Sequence, residues 1–276
     1  MSLMENVEYL EKGNDSQRRI CVYTALRDMG LEPIVQEYSG GTNLIYTFGR
    51  GREVGIASHF DVAYDRDDSS KMSPGANDNA SAVAVALDIL ERYKQDPLEN
   101  IGIRGLFFDG EEAGLRGSRH YVQLGGLEGL EGVYNMELVG QGNMVAFWGD
   151  EKLYDGKLLK AIESAALERG VKSFRFPDIR KFLHNSGDHQ SFNEVGFNEA
   201  FCITAIGEKD LEFAMKHLTL SNGESGGGVS DDVTFQAPLF KNYHKVTDTS
   251  DHLSEESLQM VSDLLWESLC RLDEGA

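Results

Sequence analysis

The amino-acid sequence predicts an α/β fold, specifically a single-domain three-layer αβα sandwich around a central mixed, largely parallel sheet. Short apolar segments alternate with long amphipathic helical segments, a pattern that places helices on both faces of a sheet. The chain has 276 residues and is 41% hydrophobic, which suits one large domain with a sizeable core. Because no repeat or low-complexity linker divides the sequence, we expect one domain over residues 1–276.

The first half of the chain begins with a predicted helix and continues with strands. The segment "DSQRRICVYTALRDMGL" reads as a helix, with Asp15 or Ser16 available as its N-cap and Gly30 as its terminator. The segments "EPIVQEY" and "NLIYTFG" flank a Ser-Gly-Gly turn and predict a hairpin. The next predicted strand, "REVGIAS", stops at "HFD", and a polar loop follows it.

The second half alternates helices with strands. Val83, Leu87 and Leu90 form an apolar stripe on the predicted helix "ASAVAVALDILERYK". Further helices are predicted over "KLLKAIESAALERG" and "SEESLQMVSDLLWESLCRL", and strands over "NIGIRGLFF", "GVYNMEL" and "AFCITAIG". Residues 219–236 are rich in Gly, Ser and Asp, and a segment of this length predicts a flexible lid or binding loop.

Composition excludes two classes of partner. The formal net charge is −20, from 46 acidic and 26 basic residues, and a polyanion would be repelled, so we expect no nucleic acid partner. No apolar run approaches the roughly 20 residues that span a bilayer, so we expect no membrane partner. No feature of the sequence indicates an oligomeric state.

Cysteine usage and the chain start bear on the compartment. The three cysteines are far apart and show no CxxC spacing, which predicts neither a disulfide framework nor a thiolate metal site: Cys21, Cys202 and Cys270. A reducing compartment is the simplest context, and no signal peptide opens the chain, so a cytoplasmic location is expected. A second methionine, Met4, would be explained if the first three residues were added for expression. If a signal peptide was removed upstream of Met4, we expect a secreted protein instead.

Polar side chains follow three consecutive predicted strands. His59 and Asp61 follow the first, Glu111 and Glu112 the second, and Glu137 the third. Ligands of open α/β sheets bind beyond the carboxyl ends of the strands, so we expect these groups to face one crevice. The adjacent glutamates would repel each other there, which predicts a positive partner nearby.

Two further residues extend this set. Asp78 begins the Ala-rich helix, where free N–H groups favour a carboxylate, and His244 lies near the C-terminal end. Taken singly, Asp78 reads as a helix cap, His244 as a surface residue and a glutamate pair as solvated. Taken together, imidazoles and carboxylates without a thiolate suit zinc, manganese or cobalt.

Six motifs carry a resemblance to a known family. In chain order they are "SHFDVAY", "PGANDNASAV", "FFDGEEAGLRGSRHYV", "NMELVG", "SGDHQSFNEVGF" and "NYHKVTDTSD". They resemble the motifs of the co-catalytic zinc aminopeptidases of the bacterial leucyl-aminopeptidase type, a superfamily shared with glutaminyl cyclases. The resemblance runs from about residue 55 to residue 262 and implies a zinc-peptidase/phosphorylase-like fold.

The resemblance implies a role for each candidate residue. It implies that one metal is held by His59, Asp78 and Glu137 and the other by Asp78, Glu112 and His244, with Asp78 bridging. It further implies that Asp61 orients His59 without ligating, that Glu111 is the general base, and that Tyr243 stabilises the oxyanion. In this interpretation one glutamate of the pair binds a metal while its neighbour transfers the proton.

The implied reaction is hydrolysis of an N-terminal peptide bond. The cofactors would be two divalent ions, zinc in the first place and cobalt or manganese otherwise. A water bridging them would attack the peptide carbonyl, and Glu111 would take its proton. One metal would receive the free α-amine, so the expected partner is a peptide substrate with a free N-terminus.

The sequence departs from the usual family pattern in three places, one of which is Ala82, just inside the Ala-rich helix, where Gly is frequent. Glu137 stands where many members have Asp, which changes the reach of one ligand. Gly187 is an extra residue before Asp188 and His189, and these two are expected only as hydrogen-bonding support behind the site.

Three alternatives remain open from the sequence. A glutaminyl-peptide cyclase has the same fold and uses mostly one zinc, and a non-catalytic binding module would have lost metal ligands. The "GESGG" segment, residues 223–227, matches the G-x-S-x-G pattern of serine hydrolases. Its flanks do not read as the strand and helix that a nucleophile elbow needs, which argues against that third alternative.

Overall fold

The computed structural model describes residues 1–48, 51–149, 155–177, 187–221 and 237–275. Within these ranges the strands are β1 (Ile34–Tyr38), β2 (Gly41–Phe48), β3 (Arg52–His59), β4 (Ile101–Phe108), β5 (Leu130–Met136), β6 (Met144–Gly149), β7 (Ser173–Pro177) and β8 (Ala200–Ile206). The α-helices are α1 (Leu3–Leu10), α2 (Asp15–Asp28), α3 (Ser81–Gln95), α4 (Arg116–Gln123), α5 (Lys157–Arg169), α6 (His189–Glu194), α7 (Glu208–Ser221) and α8 (Glu255–Glu274).

The strands form one mixed sheet, as the sequence predicts. Their order is β1-β2-β4-β3-β5-β8-β6-β7. The four central strands β4, β3, β5 and β8 are parallel, whereas β2 is antiparallel to β4 and β6 is antiparallel to β8. The carboxyl ends of β3, β4 and β5 therefore meet at one edge of the sheet.

Side chains of the central strands alternate between two helical layers. Phe107 of β4 lies in the apolar cluster that includes residues of α1, α3 and α8. Phe108, the next residue, lies in a cluster with Tyr121 of α4 and Phe192 of α6. Because successive strand residues point to opposite faces, this division produces the predicted three-layer sandwich.

Several elements were not predicted from the sequence. They are the helices α1, α4, α6 and α7 and the strands β6 and β7. The predicted loop 219–236 is wrong at its start, because residues 219–221 belong to α7; the rest of it lies outside the described residues. In the described part of the chain, no helix is long and apolar enough to cross a membrane.

The N-cap of α2 also differs from the prediction. Asn14 is the cap, and its side chain accepts a hydrogen bond from the N–H of Gln17. Asp15 instead uses its carboxylate to accept a hydrogen bond from the backbone N–H of Val62 at 3.0 Å. The start of α2 is thereby joined to the segment that follows β3.

Candidate metal centre

The predicted site residues lie together beyond the central strands. His59 is the last residue of β3, Glu137 directly follows β5, and Glu111 and Glu112 lie in the turn after β4. His244 approaches them from the segment before α8. The strand ends thus bring residues that are far apart in sequence to one crevice.

One group of three ligand-type side chains surrounds His59. Its Nε2 lies 3.3 Å from Oδ1 of Asp78 and 3.2 Å from Oε2 of Glu137. All three residues are buried, and their candidate ligand atoms lie within 4.8 Å of one another.

A second group surrounds His244 and shares Asp78 with the first. His244 Nε2 lies 3.2 Å from Oδ2 of Asp78 and 3.0 Å from Oε2 of Glu112. Asp78 therefore turns one oxygen towards each imidazole. This is the geometry that a bridging carboxylate between two cations would have.

Asp78 reaches this position because it does not cap a helix, so the helix-cap interpretation is wrong. The N-cap of α3 is Ala80, and Asp78 has non-helical dihedral angles of φ −114° and ψ 85°. The carboxylate of Asp248 accepts hydrogen bonds from the N–H groups of Asn77 and Asp78, at 3.0 Å each. This contact fixes the backbone and leaves the Asp78 side chain facing the imidazoles.

Asp61 contacts both His59 and the pair of glutamates. Its Oδ1 lies 3.4 Å from His59 Nδ1 and accepts a hydrogen bond from the N–H of Glu111 at 3.1 Å. Its Oδ2 accepts a hydrogen bond from the N–H of Glu112 at 3.0 Å. One carboxylate thus holds the imidazole and the glutamate backbone in a fixed relation, and its contacts with the N–H groups of Glu111 and Glu112 were not predicted.

Two asparagines hold Glu137. Asn79 Nδ2 donates to Glu137 Oε2 at 2.5 Å and to the carbonyl of Met136 at 2.9 Å. Asn135 Nδ2 donates to Glu137 Oε1 at 3.1 Å. Both asparagines were missed, although Asn79 directly follows Asp78 and Asn135 of β5 precedes Glu137 by two residues.

Glu111 lies beside the two groups in a strongly acidic environment. Burial raises the pKa of Glu111 well above its ordinary value, and Glu112, Glu137 and Asp188 raise it further against the opposing effect of His59. Its carboxyl therefore has a higher proton affinity than a solvated glutamate, as a group that accepts a proton requires.

Tyr243 packs directly against a candidate ligand. Its ring stacks on that of His244, with centroids 3.8 Å apart and planes at 20°. Burial raises the pKa of Tyr243 well above its ordinary value, and Asp78 and Glu112 add to this effect. The phenol is therefore a protonated hydrogen-bond donor.

His244 itself adopts a left-handed backbone conformation, with φ +51°. This conformation is costly for a residue other than glycine and is found preferentially at functional sites.

Close packing explains why residue 187 is a glycine. A Cβ atom at this position would lie 2.7 Å from Asn135 Nδ2 and 3.0 Å from Glu137 Oε1, so a side chain there would displace the support of Glu137. Asp188 and His189 follow it and are buried. Burial raises the pKa of Asp188 to about 7, and Glu137 adds to the rise against His59.

The electrostatics of the two imidazoles indicate a site that is short of positive charge. Burial opposes protonation of His59, but the Glu137 carboxylate and neighbouring acids prevail and raise the pKa of His59 well above its ordinary value. Burial likewise opposes protonation of His244, but contacts with Asp78 and Glu112 raise its pKa to about 10. A divalent cation would supply the same compensation without protons.

Several candidate ligand atoms of the site are buried and make no hydrogen bond within the described part of the chain. Among the described residues, Asp78 Oδ2 and His244 Nε2 make no hydrogen bond, although they lie only 3.2 Å apart. Glu112 Oε1 is also buried without a hydrogen-bond partner there. Buried polar atoms are normally paired, so atoms directed at a shared position match metal ligands, and the oxygen and nitrogen set suits zinc.

Comparison with known families gives the class of this chain. The model of peptidase family M28 matches residues 43–269. The chain belongs to this family.

Curated relatives are named as aminopeptidases. The chain is 29% identical over 200 residues to the "Probable lipoprotein aminopeptidase LpqL" of Mycobacterium tuberculosis, covering 69% of this chain. It is 28% identical over 201 residues to "Aminopeptidase YwaD" of Bacillus subtilis, covering 72% of this chain. In both cases the match spans 38% of the length of the relative.

Solved structures share the fold over the whole chain. A Zn-dependent exopeptidase from Parabacteroides distasonis aligns with a TM-score of 0.71 at 18% identity, covering 100% of this chain and 97% of that one. The glutaminyl cyclase of Porphyromonas gingivalis aligns with a TM-score of 0.71 at 19% identity, covering 100% and 98%. Similarity at this identity concerns the fold and leaves the reaction open.

Proposed function

We propose that this protein is a metal-dependent aminopeptidase that hydrolyses the N-terminal peptide bond of peptides. The observation that carries the proposal is the position of Asp78, whose two oxygens lie 3.3 Å from His59 Nε2 and 3.2 Å from His244 Nε2. Membership of family M28 and the names of the relatives support the same reaction class.

The proposed ligand assignment follows the two groups of side chains. One ion would be held by His59, Asp78 and Glu137, and the other by Asp78, Glu112 and His244. Zinc is the proposed metal, with cobalt or manganese as alternatives that the same ligands accept. When bound, the ions would lower the pKa of a water so that it is a nucleophile near neutral pH.

Glu111 is the proposed general base. It would take the proton of the attacking water and return it to the leaving amine, so one carboxyl would serve both transfers. The hydrogen bond from the Glu111 N–H to Asp61 supports this role, because it fixes the backbone from which the carboxyl projects. Asp61 would act by positioning Glu111 and His59.

Tyr243 is the proposed donor to the oxyanion that forms at the peptide carbonyl. Its protonated phenol and its stacking on His244 suit a fixed donor at the edge of the site. The acidic surroundings of Glu111 and Glu137 would favour a substrate with a free α-amine over one with a blocked N-terminus.

We further propose that residues 1–276 form a single catalytic domain. The two ends of the described chain support this, because Glu255 of α8 accepts hydrogen bonds from the N–H groups of Leu3 and Met4. A cytoplasmic location stays a prediction, and one relative is named a lipoprotein.

A glutaminyl-peptide cyclase is the second candidate, because a glutaminyl cyclase shares the fold over the whole chain. A non-catalytic binding module is the third. The deciding experiment incubates zinc-loaded protein with a panel of fluorogenic aminoacyl substrates and with an N-terminal glutaminyl peptide.

Release of the N-terminal residue, abolished by a chelator, supports the aminopeptidase. Formation of pyroglutamate without hydrolysis would favour the cyclase, and a protein without metal and without turnover would favour the binding module. The serine-hydrolase motif at residues 223–227 lies outside the described residues. Hydrolysis that a chelator does not inhibit would favour the serine-hydrolase alternative.

A further inference from the structure

Arg18 of α2 is a fully buried cation that binds three segments next to the metal centre. Its Nε donates to the carbonyl of Leu10 at 3.1 Å, and its Nη1 to the carbonyl of Phe60 at 3.4 Å. Its Nη2 donates to the carbonyl of Gly75 at 2.9 Å and also to that of Pro74. The rigid fork of donors on a guanidinium makes such a multiple contact feasible.

The charge of Arg18 balances a group of buried acids. Burial lowers the pKa of Arg18 to about 10, while Asp248, Asp78, Asp15 and Asp61 raise it in opposition. Arg18 therefore stays protonated near neutral pH. A buried charge of this kind is stable only where hydrogen bonds and opposite charges compensate its desolvation.

The loop 74–78, which carries the bridging residue, is held from two sides. Arg18 binds the two carbonyls at the start of the loop, and Asp248 binds the N–H groups of Asn77 and Asp78 at its end. A backbone hydrogen bond of 3.1 Å from the N–H of Ala76 to the carbonyl of Asp248 also joins the loop to the segment that contains Asp248. The direction of the Asp78 side chain thus depends on the hydrogen bonds of Arg18 and Asp248 to this loop.

The two N-terminal helices bind the other ligand-bearing segments as well. Glu11, which follows α1, accepts hydrogen bonds from the N–H and Oγ of Ser250, at 2.7 Å and 2.9 Å, in the segment after His244. Asp15 binds the N–H of Val62, close to His59. Arg18 is the central member of this set because it contacts both the segment after β3 and the loop before Asp78.

We propose that Arg18 is a positioning residue that sets the affinity of the metal centre by holding the loop of the bridging Asp78. This inference rests on the proposed function, since it presumes that Asp78 bridges two ions. Arg18 lies before residues 43–269, the part of the chain that matches the family, so the family comparison does not assign it a role. Because both ions share Asp78, a shift of this loop weakens both.

The test compares zinc affinity in folded variants. Zinc binding is measured by competition with a chromophoric chelator and by metal content, on protein whose fold is verified by circular dichroism. We expect Arg18→Met to bind zinc about tenfold to a hundredfold more weakly, the loss typical when support behind a metal ligand is removed. Arg18→Lys should lose less zinc affinity than Arg18→Met, because lysine keeps the positive charge but lacks the several donors of a guanidinium.

Two controls on the same helix separate positioning from general stability. Arg27→Met removes a surface arginine that pairs with Glu32, and its zinc affinity should equal that of the wild type. Leu26→Ala creates a cavity at a fully buried position and lowers the unfolding temperature, yet its zinc affinity should also be unchanged. If Leu26→Ala weakened zinc binding as much as Arg18→Met, the role of Arg18 would be structural only and the inference wrong.

Asp248→Asn replaces Arg18→Met if that variant does not fold. It replaces one of the two carboxylate oxygens that accept from the N–H groups of Asn77 and Asp78 by a donor, and a loss of zinc affinity of the same order is expected. If either variant folds and binds zinc as tightly as the wild type, the inference about Arg18 is wrong, while the proposed function stands. A wild-type protein that binds no zinc would instead overturn the proposed function, and the inference with it.

Discussion

Asp78 and His244 lie with Oδ2 and Nε2 only 3.2 Å apart, yet neither atom makes a hydrogen bond among the described residues. The other oxygen of Asp78 lies 3.3 Å from His59. Burial opposes protonation of His244, but contacts with Asp78 and Glu112 raise its pKa to about 10, so these carboxylates stabilise positive charge at this point. Two cations, one on each side of Asp78, would satisfy all of these atoms.

Asp78→Asn should reduce the zinc content from two ions to at most one. An amide offers a single acceptor oxygen, so it cannot bridge. Metal content after saturation with zinc and gel filtration measures this directly. Asp155→Asn, at a fully solvated position paired with Lys160, is the matched control and should retain two ions. Two ions in Asp78→Asn would show that this residue does not bridge.

Glu111→Gln should abolish turnover while leaving zinc content unchanged. The loss of a general base lowers a rate by about 10²–10⁴-fold, and glutamine keeps the shape of the side chain. Glu112→Gln is the internal control: as a substituted ligand it should weaken one zinc site, whereas Glu111→Gln should not. Retention of a near-wild-type rate by Glu111→Gln would rule out its assignment as the base.

Asp61→Asn should reduce both the turnover rate and the zinc affinity. Each oxygen of Asp61 accepts a hydrogen bond from one backbone N–H, of Glu111 or of Glu112. Asparagine keeps only one of these oxygens, so one of the two hydrogen bonds is lost. Loss of a contact behind a ligand typically costs about 10–100-fold in metal affinity or activity. Kinetics at saturating zinc separate the two effects, and an unchanged rate under those conditions would leave Asp61 without a role in positioning Glu111.

Zinc affinity should increase with pH through the neutral range. In the metal-free protein the pKa of His244 is raised to about 10, and that of His59 is raised well above its ordinary value. The His244 imidazole therefore carries a proton at pH 7, and zinc must displace it, so the apparent affinity rises as the pH approaches this pKa. Calorimetry in buffers of different ionisation enthalpy should detect protons released on binding. A pH-independent affinity between about pH 6 and 8 would contradict this electrostatic interpretation.

Zinc should also raise the unfolding temperature. An ion that binds only the folded state stabilises it by about 2.7 kcal/mol at a free concentration 100-fold above its dissociation constant. Thermal unfolding with added zinc and with a chelator measures the effect, and Asp78→Asn should show a much smaller shift. An equal shift in both proteins would place the stabilising ion elsewhere.

The central sheet could be predicted because its strands are short, apolar and separated by clear helical periodicity. β6 and β7 were missed because "MVAFWG" and "SFRFP" carry no flanking pattern that distinguishes a strand from a buried loop. α1 was missed because its eight residues are fewer than the window in which helical periodicity is recognised. In the structure Ser2 and Glu5 form a capping box that begins this helix.

The clustering of His59, Glu111, Glu112 and Glu137 could be predicted because these residues follow the carboxyl ends of neighbouring predicted strands. The ligand assignment that includes Asp78 and His244, and the orienting role of Asp61, came from the resemblance to a family.

The more distant residues that support the site could not be predicted. Arg18 reads as an ordinary polar position of a surface helix, and Asp248 is one of several acids after His244. Both act through backbone groups of a loop that is distant in sequence, and a single sequence carries no signal for such a contact.

The bridged pair of ions is tested most directly by a crystal structure of the zinc-loaded protein with anomalous diffraction at the zinc absorption edge. We predict two peaks about 3.5–4 Å apart, one contacting His59 and Glu137, the other Glu112 and His244. Both peaks should contact Asp78. No peak in this crevice, or a single peak that Asp78 does not contact, would contradict a metal centre bridged by Asp78.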